Sequence, residues 1–276
     1  MIFLSWNING YDKPIEAELK KLIRRYNPDI ILLQLTKLCG KEMSISLPNY
    51  LQFRNDGLKK DYGGTITLSK KKPNKIKPNK IIYGMIDEEH NEEGRILTIE
   101  FDRIYFVNCY VPNIKPDKSR VLYRYIFDCK SRAFYNYLSE NKMVIICGDF
   151  NVSCDDLDTY YEKLNPTKAS QTYLEQSSFK TLLNNGYIDV FRYFHADKAV
   201  YTFWSIFGNN RDLNKGHRID YVLVSQDEII YFKSIEILDK VVGSNHCPII
   251  CEISIWIKKW NPKWFHFLII TISQCH

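Results

Sequence analysis

The segment MVIICGDFNVS presents a carboxylate and an amide, Asp149 and Asn151, directly after an apolar run and Gly148. If that run is a buried strand, alternation places both side chains on one side of its carboxyl end. A carboxylate beside an amide in such a cleft is suited to acid–base chemistry or to cation binding. Because Asp-x-Asn also occurs in ordinary turns, the pair needs partners elsewhere in the chain.

Asp220 opens another apolar run in the segment GHRIDYVLVS. A carboxylate at the mouth of a buried strand is costly unless it is paired. His246, in GSNHCPI, is the expected partner, because a carboxylate bonded to one ring nitrogen fixes the tautomer and stabilises the imidazolium. A lone histidine is more often simply buried, so this interpretation also depends on further polar residues.

Two more segments supply such residues. SWNING carries Asn7 and Asn9 after an apolar run, and NCYVPN carries Tyr110 and Asn113 after another. Four apolar runs therefore have polar groups at one end. This pattern predicts one shared site.

The elements that would position this site are short strands mixed with helices. The strand-like runs are rich in Ile, Val, Tyr and Phe; they are MIFLSW, DIILLQL, GGTITLS, RILTIEF, RIYFVNCYV, MVIICGDF, RIDYVLVS and CPIICEISI. Apolar periodicity predicts helices over 14–27, 122–140 and 173–186. Pro14 suits a first turn, Asn27-Pro28 ends the first helix and Gly186 caps the third.

Composition is that of an ordinary globular protein, with 45% hydrophobic and 25% charged residues among 276. The net charge of +6 is compatible with a polyanionic partner and does not require one. Neither an internal repeat nor a flexible linker divides the chain, so we predict one domain over 1–255 and a tail over 256–276 whose role the residues do not indicate.

The eight cysteines are scattered without the CxxC pairs of a zinc site. They predict free thiols in a reducing compartment, the cytoplasm or the nucleus. The amino terminus lacks the basic region of a signal peptide. The late apolar run over 264–272 is too short to cross a membrane.

Six segments in order, WNING, YVPN, GDFNV, YTFWS, RIDYVLVS and HCPI, resemble the exonuclease III type of apurinic/apyrimidinic endonuclease, in the endonuclease/exonuclease/phosphatase superfamily. The resemblance implies an α+β fold of four layers, in which two packed, mostly antiparallel sheets are flanked by helices as in deoxyribonuclease I. It also implies hydrolysis of the phosphodiester 5′ to an abasic site in double-stranded DNA, with Mg²⁺ or Mn²⁺ as the cofactor. YTFWS and YVPN favour this branch over retrotransposon endonucleases, sphingomyelinases and inositol phosphatases.

The resemblance implies catalytic roles for Asp149, Asn151, Asp220, His246 and Tyr110. His246 and Asp220 would form a pair that stabilises charge on the phosphate, and Asp149 would orient or deprotonate the attacking water beside Asn151. Tyr110 would contact the phosphate.

The same resemblance implies metal-binding and substrate-binding residues. Those implied around the metal are Asn7, Asp149, Asn151 and His246. Those implied around the substrate are Asn113, Phe203, His217 and Ile219, with His217 standing where a tryptophan is often found.

Two positions depart from the family pattern. The family normally has QETK and SDHCP where this chain has QLTK and SNHCP, so Leu35 and Asn245 replace a metal-ligating glutamate and a nearby aspartate. Since Mg²⁺ prefers charged oxygen ligands, we expect reduced metal affinity. Gln34 and Thr36 would point to the other face of the strand and could not substitute.

Three hypotheses follow. The chain is an abasic-site endonuclease with full or reduced activity, or a DNA-binding protein with the nuclease fold and no catalysis, or a related phosphatase that acts on a small phosphorylated substrate. The lysine-rich run from Lys59 to Lys80 fits a DNA-backbone surface under the first two hypotheses. We expect a monomer.

Overall fold

The computed structural model describes residues 1–39, 45–71, 78–85, 88–161, 164–165 and 167–254. The tail over 256–276 and part of the lysine-rich run, 72–77, lie outside the described residues. The domain boundary near residue 255 therefore stays a prediction.

The described strands form two sheets. The strands are β1 (Ile2–Asn7), β2 (Ile30–Gln34), β3 (Tyr50–Asn55), β4 (Thr65–Lys70), β5 (Lys80–Tyr83), β6 (Ile96–Glu100), β7 (Ile104–Tyr110), β8 (Met143–Asp149), β9 (Tyr187–Asp189), β10 (Asp220–Ser225), β11 (Phe232–Ile237) and β12 (Ile249–Ile253). The described α-helices are α1 (Lys13–Tyr26), α2 (Val121–Ser139), α3 (Tyr173–Asn184) and α4 (Val190–Phe194).

Each sheet has six strands and is mostly antiparallel. The first sheet has the order β11-β12-β1-β2-β4-β3 and the second has the order β5-β6-β7-β8-β10-β9. The β1–β2 and β7–β8 pairs are parallel, and the other pairs are antiparallel. This arrangement places the carboxyl ends of β1, β2, β7 and β8 at the loops that carry the predicted site.

Three apolar layers hold the fold together. Between the sheets, Phe3 and Leu32 of the first sheet belong to one buried cluster with Phe106 of the second. A second cluster joins the outer face of the second sheet to α2 and α3, and a third joins the outer face of the first sheet to α1. The predicted four-layer α+β sandwich is confirmed.

Local signals explain where α1 begins and ends. Asp12 accepts a hydrogen bond from the backbone of Ile15 at 2.9 Å, and Pro14 occupies the first turn. Asn27 closes the helix in the left-handed conformation, with φ of 50°, and its N–H donates a hydrogen bond to the carbonyl of Ile23. The predicted helices over 14–27, 122–140 and 173–186 are all present, and Gly186 follows α3 with φ of 94°.

All eight strands expected from apolar runs are present, and they occupy the interior of the sheets. The strands that were not expected, β3, β5, β9 and β11, are the four edge strands. Their sequences, YLQFRN, KIIY, YID and FKSIEI, mix polar and apolar residues because edge strands are partly exposed. They therefore lack the continuous apolar runs that identify buried strands.

The cysteines and the apolar helices can be compared with the predictions made from the sequence. The seven cysteines in the described part of the chain are free thiols, as predicted, while Cys275 lies outside it. Among the described helices, none is long and apolar enough to cross a bilayer. The apolar run over 264–272 belongs to the tail that is not described.

Candidate active site

The polar residues predicted from strand ends lie together at one end of the sandwich. The registers of β7, β8 and β10 pair Tyr110 with Asp149 and Asp149 with Asp220. From the other sheet, Asn7 at the end of β1 donates through Nδ2 to Asp149 Oδ2 at 2.8 Å. This hydrogen bond crosses between the sheets, so both sheets build the site.

Asp149 is buried and accepts hydrogen bonds from Asn151 as well. The backbone N–H of Asn151 donates to Oδ1 at 2.8 Å, and Asn151 Nδ2 approaches Oδ2 at 3.3 Å. The expectation that strand alternation aligns these two residues is wrong, because β8 ends at Asp149 and Asn151 has φ of 49°. The two side chains meet instead through a turn in which the carboxylate accepts from the backbone two residues on.

Asn113 supports Asn151 in this arrangement. Asn113 Nδ2 donates to Asn151 Oδ1 at 3.0 Å, and Asn151 Nδ2 donates to the carbonyl of Val111 at 2.9 Å. The loop after β7 thus orients the amide of Asn151. Asn113 is thus connected to Asp149 through Asn151.

His246 and Asp220 form the expected pair. His246 Nδ1 donates to Asp220 Oδ2 at 2.8 Å, both residues are buried, and His246 Nε2 lies 4.0 Å from Asp149 Oδ2. Burial disfavours the charged imidazole, but the Asp220 and Asp149 carboxylates outweigh it and raise the pKa of His246. Burial and the nearby Asp220 carboxylate raise the pKa of Asp149 to about 7.

The loop that carries His246 is held by residues that were not predicted. Ser244 Oγ donates to the carbonyl of Asn7 at 2.8 Å and accepts from the N–H of His246 at 3.1 Å. Trp6 Nε1 donates to the carbonyl of His246 at 3.2 Å. Ser244 lies two residues before His246, and Trp6 lies directly before Asn7. Their positions in the sequence were therefore a signal that could have identified them.

Thr202 fixes the start of β10. Its Oγ1 accepts from the N–H groups of Ile219 and Asp220, both at 3.1 Å. The residue belongs to the YTFWS segment, so its presence near the site could have been anticipated. The sequence alone does not show that it accepts these hydrogen bonds, because 18 residues separate it from Asp220.

Tyr110 contacts a buried arginine that was also not predicted. The Arg95 guanidinium lies 4.5 Å from the centroid of the Tyr110 ring, and Arg95 Nη1 donates to the Tyr110 carbonyl at 2.9 Å. Burial raises the pKa of Tyr110 above its ordinary value. The phenol therefore keeps its proton at neutral pH and remains a hydrogen-bond donor.

The three residues implied as pocket walls differ in exposure. Phe203 and His217 are half-buried, and their rings are nearly parallel with centroids 6.4 Å apart. Phe203 also lies 4.9 Å from the ring of His246. Ile219 is only 3% exposed, so its side chain is almost inaccessible.

The described residues offer a partial site for a divalent cation. Asp149, Asp220 and His246 each bring one ligand atom within 4.8 Å of the others. Asp220 accepts a hydrogen bond from Nδ1 of His246, which leaves His246 Nε2 and the Asp149 carboxylate as ligands. A carboxylate that orients a ligating imidazole in this way is common in metal sites. These donors fit a divalent ion and do not select one metal.

The opposite side of this site does not fit a cation. Leu35 follows β2 with φ of 53°, one residue beyond Gln34, the partner of Asn7 in the sheet. Asn245 Oδ1 accepts from Asn9 Nδ2 at 3.0 Å, and Asn9 Oδ1 accepts from Lys37 Nζ at 2.8 Å. A leucine and a neutral amide thus stand at the two positions where the family resemblance places carboxylates, and an ammonium group is bonded to Asn9 beside them.

The neighbours of Leu35 do not replace the missing carboxylate. Gln34 Nε2 donates to Asn108 Oδ1 of the second sheet at 2.8 Å, in the buried interior. Thr36 is fully buried. The Gln34 side chain is thus directed into the interior, as expected.

The lysine-rich run does not form a single surface. Lys59 and Lys60 lie in the loop between β3 and β4, at the end of the sheet where Asn55 pairs with Thr65 and Gln34 with Thr65. Lys70 and Lys80 lie at the other end, in register with Tyr50 and Glu100. The antiparallel pairing of β4 separates the run, so that among its described lysines Lys59 and Lys60 lie at the end of the sheet that holds the site.

Comparison with known proteins places the chain in a family. A model described as the Endonuclease/Exonuclease/phosphatase family matches residues 4–246. The chain belongs to this family. It is 33% identical over 255 residues to an exodeoxyribonuclease of Bacillus subtilis (strain 168), covering 90% of this chain and 98% of that protein.

A second relative and a solved structure are also similar to this chain. The chain is 34% identical over 258 residues to a DNA-(apurinic or apyrimidinic site) endonuclease of Dictyostelium discoideum, covering 90% of this chain and 69% of that protein. The structure matches AP endonuclease LMAP from Leishmania major with a TM-score of 0.83 and 28% identity, over 92% of this chain and 88% of that chain. These relationships support a hydrolytic nuclease of DNA repair within a metal-dependent family.

Proposed function

We propose that this chain is a DNA-repair nuclease that hydrolyses the phosphodiester 5′ to an abasic site in double-stranded DNA, with the assistance of a divalent metal. The observation that carries the proposal is the hydrogen-bonded set of Asn7, Asp149, Asp220 and His246, built by both sheets at one end of the sandwich. The apurinic-site endonuclease and the exodeoxyribonuclease among the relatives support the choice of substrate.

In this proposal Asp149 accepts the proton of the attacking water, and Asn151 and Asn7 fix its carboxylate. His246, oriented by Asp220 through Nδ1, presents Nε2 beside the phosphate and stabilises the negative charge that develops there in the transition state. The protonated hydroxyl of Tyr110 donates a hydrogen bond to the phosphate. Positioning and electrostatic stabilisation carry most of the rate of such a reaction.

A divalent ion, Mg²⁺ or Mn²⁺, would be held by Asp149 and His246 with Asn7 and Asn151 in support, and it would supply further positive charge to the phosphate. The neutral amides of Asn7 and Asn151 do not supply the negative charge of the two carboxylates that Leu35 and Asn245 replace. The affinity for the metal is therefore low in this proposal.

The substrate side of the proposal uses Asn113, Phe203, His217 and Ile219. The Phe203 ring lies beside His246 and the His217 ring lies beside Phe203, while Ile219 is buried. A base-less sugar is easily turned out of the helix, because no base pair has to be broken. The rings would form the wall against which that sugar lies.

A second candidate function is DNA binding without catalysis. The observation that favours it is the chain of contacts from Lys37 through Asn9 to Asn245, beside Leu35. An ammonium group repels a cation at this place and attracts a phosphate. Under this alternative the protein binds DNA, and the metal site is lost.

The test is a nicking assay on a duplex that carries a single abasic analogue, with Mg²⁺, Mn²⁺ or EDTA. We expect one product, cut 5′ to the analogue, in either metal and none in EDTA. Asp149→Asn should abolish it, whereas Asp227→Asn, at an exposed position at the other end of β10, should not. Binding without nicking in any metal would favour the second candidate, and absence of both would contradict the proposal.

A further inference from the structure

Four aromatic side chains form a surface that leads away from His246. The ring of Phe203 lies 4.9 Å from that of His246, and His217 lies 6.4 Å beyond it. His217 lies 5.9 Å from Tyr160 and 6.1 Å from Tyr161, and the two tyrosine rings are 3.9 Å apart. We call Phe203, His217, Tyr160 and Tyr161 the ring ladder. The proposed reaction uses its first two members and leaves the tyrosines without a role.

The ring ladder is held in place by backbone hydrogen bonds among three segments of the chain. His217 forms antiparallel bridges with Thr159 and with Phe203. Tyr160 N–H donates to the carbonyl of Gly216 at 3.0 Å. Because these bonds hold the backbone that carries the rings before any ligand arrives, little backbone entropy is lost when a ligand stacks on them.

The ring ladder is partly exposed. All four of its members are half-buried. Tyr160 packs against the buried cluster of Tyr201, Trp204 and Cys247. The ladder thus combines a buried support with a partly exposed surface.

The outer end of the ring ladder is basic. Lys168 Nζ lies 3.9 Å from the centroid of Tyr161 and donates to its hydroxyl at 2.6 Å. Lys215, two residues before His217, is exposed. Burial, helped by Lys168, lowers the pKa of His217 to about 4, so this imidazole is neutral at physiological pH.

Aromatic faces beside lysines are the composition of surfaces that bind unpaired nucleic acid bases. The rings offer stacking to any base, and the lysines complement the phosphates that accompany it. The ladder begins 4.9 Å from the ring of His246, so a nucleotide whose phosphate lies at the proposed site lies beside its first ring, Phe203.

We propose that the ring ladder is a stacking subsite for an unpaired nucleobase, so that the site accepts an extrahelical nucleotide that still carries its base as well as a base-less sugar. This inference rests on the proposed function, because the base reaches the ladder only when its phosphate lies beside His246. Tyr160 and Tyr161 are then residues that determine the substrate range.

The test compares two duplexes that differ at one central nucleotide, which is an abasic analogue in one and an unpaired 2-aminopurine in the other. Binding is measured in EDTA, so that no cleavage occurs, for the wild type, Tyr161→Ala and Tyr161→Phe. We expect Tyr161→Ala to weaken binding of the 2-aminopurine duplex about tenfold and that of the abasic duplex less than about twofold. Tyr161→Phe keeps the ring and should bind both duplexes like the wild type.

Two further measurements sharpen the result. The fluorescence of 2-aminopurine should be quenched in the wild-type complex, because stacking quenches it, and should recover in Tyr161→Ala. Tyr137→Ala removes an exposed tyrosine near the far end of α2 and serves as the matched control. If Tyr161→Ala does not fold, Tyr161→Leu, which keeps apolar bulk without a ring, replaces it with the same expected loss.

Equal losses on the two duplexes, or no loss on either, would overturn the subsite while leaving the proposed nuclease intact. Failure of the wild type to bind the abasic duplex would instead count against the proposed function. The two failures are therefore distinguishable.

Discussion

At the scale of single residues, the site concentrates ionisable groups in a buried space. Asp149, Asp220 and His246 are each nearly inaccessible to solvent, and both carboxylates lie within hydrogen-bond or ion-pair reach of His246. Such groups are tolerated because amides and backbone N–H groups satisfy the carboxylates. The replacement of two further carboxylates by Leu35 and Asn245 lowers the negative charge of this end of the molecule.

We predict that Leu35→Glu combined with Asn245→Asp raises metal-dependent nicking at least about tenfold, or about 1.4 kcal/mol of transition-state stabilisation. The change restores the charged oxygens that a divalent ion prefers. Leu35→Glu alone should give most of the gain, measured as the nicking rate at fixed Mg²⁺.

The matched control is Leu35→Gln with Asn245 unchanged, which supplies similar bulk without the charge and should give no gain. Without metal the double variant should unfold at a lower temperature, since the new carboxylates stand near Asp149. If metal affinity rises and the nicking rate does not, the remaining residues are not arranged for hydrolysis.

A second prediction concerns pH. Burial raises the pKa of Asp149 to about 7, above its ordinary value of about 3.9. The unfolded chain then binds fewer protons than the native state between these values, so this residue lowers the free energy of unfolding as pH rises from about 4 to about 7. The raised pKa of His246 acts in the same direction above about pH 6.5, because stability gained from its charged form is lost as that form deprotonates.

Asp149→Asn should therefore be more stable than the wild type at pH 7 in EDTA, by at least about 1 kcal/mol, and this advantage should shrink towards pH 4. Urea denaturation at several pH values measures the difference. Asp227→Asn, at an exposed position, should show no such trend. Parallel stability curves for Asp149→Asn and the wild type would rule out the assigned shift.

At the scale of elements, the side chain of Arg211 connects the loop before β10 to the loop before β12. Arg211 donates to the carbonyls of Ser244 at 2.6 Å and Asp239 at 3.1 Å, and its guanidinium lies 4.6 Å from the ring of Trp204. The loop that carries His246 is thus fixed to the loop that carries Phe203. Between these contacts, Ile206 and Phe207 are 73% and 80% exposed.

Exposed apolar side chains beside a DNA site are suited to press into a groove or between bases. We therefore predict that Phe207→Ser weakens binding to abasic duplex at least about fivefold without lowering the melting temperature, since the removed ring is solvent-exposed. Ile230→Ser, equally exposed at the other end of β10, is the control. Equal affinities of wild type and Phe207→Ser would show that this loop does not touch DNA.

At the scale of the whole molecule, strand pairing sorts charge between the two ends of the sandwich. The net charge is +6, yet Lys70 and Lys71 lie at the end of β4 that is remote from Asp149, where they bond Asn27 and the carbonyl of Pro48. Lys59 and Lys60 lie at the site end and are exposed. Only this second pair is placed to meet DNA that occupies the site.

Binding to abasic duplex should weaken at least about 100-fold between about 50 and about 200 mM salt, because phosphate contacts release counterions. Replacement of Lys59 and Lys60 by glutamine should weaken binding and flatten this salt dependence. The same replacement at Lys70 and Lys71 should leave both unchanged. A salt-independent affinity would argue against both DNA-binding hypotheses.

We also propose an intracellular, reducing location, nuclear or cytoplasmic, and a monomeric protein. Thiol titration of the denatured, unreduced protein should count close to eight reactive groups, since the seven described cysteines are free. Recovery of four or fewer would contradict the reducing compartment. Sedimentation analysis that gives a mass near 32.7 kDa would support the monomer.

The sequence by itself determined the interior strands, the three long helices and the pairing of Asp220 with His246. Each follows from a local pattern: continuous apolar runs mark strands buried on both faces, and caps such as Asp12 and Asn27 mark helix ends. The Asp220–His246 pair was predictable because a buried carboxylate requires a partner.

Only the tertiary structure decided the rest. The edge strands, the Thr202 and Arg211 contacts and the ring ladder join residues far apart in the chain, such as Arg211 with Ser244 and Tyr161 with His217. The turn that brings Asn151 to Asp149 and the division of the lysine run depend on where β8 and β4 end. Local patterns report burial and backbone preference, whereas these features depend on which strands pair and in which register.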